Sequence, residues 1–284
     1  MSATAATLAA RGAQRPALSP DGATLYYASD RSGTMQLWSL PVAGGEPRPL
    51  TGEDRIGRYR LSPDGARIAY AADRGGNERW QLSVVPSGGG APAAVTDAPD
   101  RMHHLVGWSP DARFLFALAN RRDVRFFDLW SFALATGAAE LRWRNDGTAA
   151  QAAILPDGRV VVRTDRERSD RNHLILVGAD GTARRLTPEA PAALHGDPCP
   201  FDGALLALSD RGRDFVHVAR IGLDGSYRTL VAPEREIDWL AASGECWAYA
   251  VNAEGWTELH VVERGTDRVV EGLPQGAIAI DGFG

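Results

Sequence analysis

The chain has 284 residues, 44% of them apolar, which is enough to bury the core of a single large domain. Its formal net charge of −5 argues against nucleic-acid and anionic-membrane partners, because both require a basic surface. All 31 basic residues are arginine, which excludes lysine-dependent chemistry, and two cysteines are too few for a disulfide framework or a Cys-rich zinc site.

The N-terminal segment, residues 1–13, is small and weakly apolar, without a charged start followed by a sustained apolar core. It therefore lacks the pattern of a signal peptide, and no later stretch is long enough to span a bilayer. We expect a cytoplasmic protein in which this segment is a lead or a closing strand.

A turn motif then recurs along the chain. Leu18–Gly22 reads Leu-Ser-Pro-Asp-Gly and returns identically at Leu61–Gly65, with degenerate copies near Asp111, Asp157 and Asp202 and an eroded sixth copy at Ser243. The copies are spaced roughly every 40–47 residues, the length of a propeller blade with four strands. Proline, aspartate and glycine in this order are turn chemistry, because proline presets φ, aspartate caps amides and glycine accepts a positive φ.

Each repeat continues with the same order of elements after the turn, as the first repeat illustrates. An unbroken apolar run, Leu25–Ala28, is typical of a strand buried on both faces. A polar loop, a third strand at Met35–Leu40, a turn at Gly44 and Gly45 and a short outer strand at Leu50 and Thr51 follow. The sequence therefore predicts an all-β fold, a β-propeller of four-stranded antiparallel blades.

Six complete blades account for most of the chain. Their predicted ranges are about 14–53, 56–98, 103–146, 149–189, 194–233 and 235–272. Residues 273–284 have the pattern of the first strand of a seventh blade that is cut short. An interrupted blade leaves an unpaired edge, so we expect a fragment of a longer protein.

The repeat pattern resembles TolB-type propellers with Trp-Asp-like repeats, and the N-terminal propeller of prolyl-oligopeptidase-family serine peptidases. The second repeat, Ala72–Leu82, is most similar to the acylaminoacyl-peptidase branch. This resemblance implies a peptide or protein partner and a C-terminal α/β-hydrolase domain that carries a G-x-S-x-G nucleophile motif. No serine of this chain has glycines at both required positions, so no catalytic residue carries over, and we expect the chain as given not to be an enzyme.

Comparison of equivalent positions in the six blades suggests a binding site. Counted back from the turn aspartate, positions −7 and −5 lie on one face of the first strand, near the entrance of the axial channel, because side chains alternate with a period of two. The polar occupants there, with two nearby arginines, are candidates for a pocket at the mouth of the channel: Arg58, Arg60, His104, His195, Asp197, Glu236 and Asp238. The alternative is that these residues form the polar wall of a water-filled channel.

No cofactor or metal is expected. His103 and His104 with His195 invite a zinc site, but their blades are not neighbours and no further ligand has suitable spacing. The resemblance favours a non-catalytic propeller that gates or docks peptides for a hydrolase domain. The alternative is a freestanding TolB-like interaction propeller, and a propeller lactonase or glycan lyase would need a ring of metal-binding carboxylates that the sequence does not supply.

Overall fold

The computed structural model describes residues 12–52, 54–149, 151–165, 170–273 and 276, apart from the side chain of Asp197. Within these residues the chain forms six four-stranded sheets, each made of four consecutive strands in sequence order, and no helix. Neighbouring strands pair antiparallel, as in the first sheet. The predicted all-β fold, a β-propeller with six complete four-stranded antiparallel blades, is confirmed.

The first three sheets cover the N-terminal half of the chain. Their strands are β1 (Ala13–Leu18), β2 (Thr24–Ser29), β3 (Gln36–Pro41), β4 (Arg48–Pro49), β5 (Arg55–Leu61), β6 (Arg67–Asp73), β7 (Gln81–Pro86), β8 (Ala93–Ala94), β9 (His103–Trp108), β10 (Phe114–Asp123), β11 (Phe126–Ala133) and β12 (Ala139–Trp143).

The last three sheets follow in the same order. Their strands are β13 (Gln151–Ile154), β14 (Val160–Thr164), β15 (His173–Val177), β16 (Ala183–Arg185), β17 (His195–Phe201), β18 (Ala204–Ser209), β19 (His217–Gly222), β20 (Tyr227–Val231), β21 (Ile237–Ser243), β22 (Cys246–Ala253), β23 (Trp256–Glu263) and β24 (Thr266–Val269).

By contacts the chain divides into two compact units. One is built mainly from Met1–Leu115 with Phe132–Ala138, and the other from Phe116–Ser131 with Ala139–Gly282. Each is described by itself below.

The core of each unit is formed by the second strands and their neighbours. Every residue of β18 is buried, as its unbroken apolar run predicts. In the first unit Leu37 and Ile68 belong to one buried cluster, and in the second Val161 and Leu205 belong to another. Burial of each such side chain stabilises the fold by about 1.5–3 kcal/mol, so these clusters are the main source of stability.

The repeated turn owes its shape to local hydrogen bonds. The Ser19 hydroxyl donates to Asp21 Oδ1 at 2.5 Å, and the same oxygen accepts the Ala23 amide at 3.0 Å. Both bonds lower the pKa of the Asp21 carboxyl below its usual value, and the bond from Ser19 has the larger effect. Gly22 completes the turn at φ 69°, in the left-handed region that glycine adopts without strain.

The second copy of the turn packs against the first. A Cβ added at Gly65 would lie 2.6 Å from Cδ of Pro20, whereas one added at Gly22 would meet nothing within 4 Å. We expect Gly65→Ala to lower the free energy of unfolding by about 2–4 kcal/mol, because left-handed strain and a clash with a rigid ring add.

Gly22→Ala is the matched control, since both glycines have φ 69°. It should cost only about 1 kcal/mol, the strain alone. Urea denaturation of both variants measures the difference, and equal losses would show that the contact with Pro20 is unimportant.

The pair Leu50 and Thr51 after the outer strand and its counterpart in the second sheet, Val95 and Thr96, also have a structural role. Thr51 Oγ1 accepts the Leu37 amide at 3.0 Å and donates to Gln36 Oε1 at 2.7 Å. The Gln36 amide nitrogen in turn donates to the Asp54 carbonyl, 3.1 Å away. The second sheet repeats the arrangement with Thr96, Leu82 and Gln81. These bonds fasten the outer strand and the segment that leads to the next sheet.

The predicted seventh-blade strand, within residues 273–284, lies outside the described residues except for Leu273 and Gly276. The carbonyl of Gly276 accepts the Thr257 amide at 3.0 Å. Of the N-terminal segment, residues 1–11 also lie outside the described residues.

Candidate functional site

The first strands of four sheets contain β-bulges, and these change which way the candidate residues point. The register shifts lie between Gln14 and Ala17 in β1 and between Ile56 and Tyr59 in β5. In the second unit they lie between Gly196 and Cys199 in β17 and between Ile237 and Trp239 in β21.

A bulge adds one residue to a strand and turns the residues before it relative to those after it. Strict alternation from position −5 to position −7 is therefore broken in these strands, and that premise of the sequence analysis was wrong. Bulges also re-aim side chains at binding sites in many proteins.

In the first unit the bulge in β5 separates the side chains of Arg58 and Tyr59. The Tyr59 hydroxyl donates to the carbonyls of Tyr26, at 3.0 Å, and Arg15. The Arg58 guanidinium instead donates from Nη1 to the Leu105 carbonyl, 3.4 Å away. Arg58 thus reaches from β5 to β9, next to His104.

Three arginines and a histidine of the first unit form what we call the arginine cluster: Arg15, Arg58, Arg60 and His104. Burial, and then the positive charges of Arg58 and Arg15, lower the pKa of the Arg60 guanidinium to about 10, so it remains protonated at neutral pH. Burial and the charge of Arg58 also lower the pKa of His104. The structure therefore brings together Arg58, Arg60 and His104 of the predicted site, and adds Arg15, which the sequence analysis missed.

The arginine cluster has the chemistry of an anion site. Guanidinium groups present several donors in a fixed plane that matches a carboxylate, and their hydrogen bonds to charged oxygens are the strong ones. A neutral His104 beside them contributes a donor or an acceptor without adding charge.

The candidate residues of the second unit are placed differently. His195 is buried, with 3% of its surface exposed, and its backbone amide and carbonyl bond to the side chain of Asn172 at 2.7 and 2.9 Å. Glu236 Oε2 accepts the Val216 amide at 3.3 Å, and Asp238 is exposed at the bulge of β21. The side chain of Asp197 lies outside the described residues.

His195 belongs to a group of buried histidines that the sequence analysis did not identify. His173 and His217 are also buried, and both act on the titration of His195. Burial first, and then the charges of His173, Arg211 and His217, lower the pKa of His195 to about 4. Each of the three histidines is the first residue of its strand, β15, β17 or β19. A shared position at strand starts is the signal in the sequence that could have revealed the group.

Among the residues described, no group of three or more histidine, cysteine, aspartate or glutamate side chains has an arrangement that could hold a metal ion. In the same part of the chain, no helix has the length and hydropathy needed to cross a bilayer.

No protein-family model matches the chain, and no curated protein matches it. Solved structures do match. A prolyl endopeptidase structure aligns with a TM-score of 0.74 and 14% identity, over 94% of this chain and 44% of that chain. TolB from Agrobacterium tumefaciens aligns with a TM-score of 0.56 and 20% identity, over 94% and 83%. An oligogalacturonate lyase in complex with manganese aligns with a TM-score of 0.74 and 17% identity, over 91% and 77%.

These similarities, at identities of 20% or less, establish the fold. The chain spans less than half of the endopeptidase that it matches. Its structural neighbours thus include proteins of the two kinds that the repeat resembles, the prolyl-oligopeptidase-type and the TolB-type propellers.

Proposed function

We propose that this chain is a non-catalytic β-propeller that gates or docks peptide substrates for a serine-peptidase hydrolase domain. The observation that carries the proposal is the match to the prolyl endopeptidase. It covers 94% of this chain and leaves 56% of the peptidase unmatched. In this proposal the unmatched part of the peptidase corresponds to a hydrolase domain that would lie outside the 284 residues of this chain.

The arginine cluster gives the docking role a chemical basis. A peptide carries carboxylates at its C-terminus and on acidic side chains, and Arg58 is close enough to Arg60 for its charge to lower the pKa of Arg60. Two guanidinium groups in one place bind a carboxylate more strongly than an isolated one. In this proposal the cluster holds short acidic peptides as they approach the hydrolase domain.

The first test is the coding sequence beyond codon 284. We expect it to encode a G-x-S-x-G motif with a later aspartate and histidine. The 284-residue chain itself should not react with a fluorophosphonate probe for serine hydrolases. A stop codon directly after Gly284, or labelling of this chain, would contradict the proposal.

The second test uses the longer protein. Arg58→Gln with Arg60→Gln should raise KM for acidic peptides about tenfold and leave kcat for a small neutral ester unchanged, because charge-assisted hydrogen bonds to a carboxylate are lost. Arg48→Gln, an exposed arginine on β4, is the control and should change neither constant. Equal KM values for the double variant and the control would reject the docking role.

A freestanding TolB-like interaction propeller is the second candidate. It is supported by the extent of the alignment, because this chain aligns with 83% of the TolB structure. A stop codon directly after codon 284, together with stable binding of a partner protein to this chain, would favour this candidate.

A further inference from the structure

The second unit contains a groove between its fifth and sixth sheets, with a cavity volume of about 880 Å³. Leu206, Trp247 and Val262 form its apolar floor and are 0, 8 and 5% exposed. Small-molecule sites commonly enclose about 300–1,000 Å³ and are lined mainly by apolar and aromatic side chains. This groove, which we call the blade 5–6 groove, has the size of such a site and an apolar floor, with a charged rim.

The eroded sixth repeat borders the groove. In the first two sheets the ring of Pro20 fills the space beside the next turn, at Gly65. The sixth turn has Ala242 and Ser243 in place of proline and aspartate, and Gly244, at the position of the repeat's glycine, lines the groove. The loss of the repeat's bulky turn residues therefore coincides with an open space.

The charged residues around the groove are mostly neutralised by one another. Arg220 pairs with Asp202, and Arg264 pairs with Glu245, each at 3.2 Å. The remaining acid, Asp267, is also engaged: its Oδ2 accepts the Tyr249 hydroxyl at 2.6 Å, and its Oδ1 lies 3.1 Å from Nδ1 of His260.

Arg228 is the exception. It lines the groove as an exposed residue of the outer strand β20, and within the described residues its guanidinium has no ion pair or hydrogen bond. Within the described residues, Arg228 is thus a groove-lining guanidinium without an ion pair beside an apolar floor, which is complementary to one kind of ligand, an apolar body that ends in one negative group. A carboxylate matches the planar donors of a guanidinium.

We propose that the blade 5–6 groove binds an amphipathic monocarboxylate, with its apolar part against Trp247 and its carboxylate on Arg228. This site does not depend on the proposed peptidase role, because its residues are distinct from the arginine cluster.

Calorimetric titration of the purified chain with phenylbutyrate tests the proposal, with phenylbutanamide as the neutral counterpart. The acid should bind about tenfold more tightly than the amide, because only the acid makes charge-assisted hydrogen bonds. Arg228→Gln should abolish this preference. Arg268→Gln is the control, because Arg268 is likewise exposed on an outer strand, β24, but lies outside the groove.

Fluorescence locates the ligand. Trp247 lies on the floor, so binding should change the emission of the wild-type chain, and Trp247→Phe should reduce that change while retaining affinity. Absence of binding, equal affinity for acid and amide, or an Arg228→Gln variant that binds like the wild type would each overturn the proposal.

Discussion

Substitution of Arg122 by leucine is expected to lower the free energy of unfolding by about 3–5 kcal/mol, because it leaves a buried carboxylate without its partner. Nε and Nη2 of Arg122 donate to the two oxygens of Asp128 at 2.9 and 3.0 Å. The Asp128 side chain is 0% exposed, and that of Arg122 is 24% exposed. Partial access of water to the arginine places the expected loss at the lower end of the range. Urea denaturation at neutral pH measures it.

The same hairpin supplies a matched control. Arg125 pairs with Asp123 at 2.7 Å, but its side chain is 71% exposed, and exposed ion pairs contribute about 0–1 kcal/mol. Arg125→Leu should therefore be close to neutral. The double variant Arg122→Leu with Asp128→Leu should recover much of the lost stability, because no buried charge remains. If Arg122→Leu costs no more than Arg125→Leu, the buried ion pair is not a source of stability.

The fold could be predicted because its signals are local. The turn at Asp21 depends on residues within five positions of one another, so the motif determines its geometry. The buried strand β18 is likewise one unbroken apolar run. The apolar run of the second strand recurs in each blade and the turn motif in most of them, so the blades could be counted from the sequence.

The candidate site was less predictable because its geometry depends on contacts between distant strands. The bulge in β5 is a property of the pairing with β6, and its only sign in the sequence of Ile56–Tyr59 is Gly57, since an isolated glycine in a strand often marks a bulge. Arg15 joins the arginine cluster from a different sheet, more than 40 positions from Arg58. The erosion of the sixth turn was visible in the sequence, but the groove beside it was not, because the volume depends on packing between sheets.

The buried histidines lead to the second large effect, a loss of stability in mild acid. The pKa of His195 is about 4 in the folded chain, whereas an unperturbed histidine has a pKa near 6.5. Between these values the unfolded chain binds a proton that the folded chain excludes, so stability falls as pH decreases from about 6.5 to 4. The difference amounts to about 3 kcal/mol for this one residue. Burial also lowers the pKa of His217, which adds to the loss in the same direction.

His195→Gln removes the titrating group and should flatten the pH dependence of the unfolding free energy over this range by about 3 kcal/mol, whatever its effect at neutral pH. Arg211→Gln is an independent check. The charge of Arg211 helps to lower the pKa of His195, so its removal should flatten the dependence by a smaller amount. Urea denaturation at a series of pH values provides the slopes, and nuclear magnetic resonance titration of the His195 ring gives its pKa directly. A His195→Gln variant with the acid sensitivity of the wild type would show that the pKa of His195 is not lowered in the folded chain. Burial would then not be keeping it neutral, and other groups would be responsible for any loss of stability in acid.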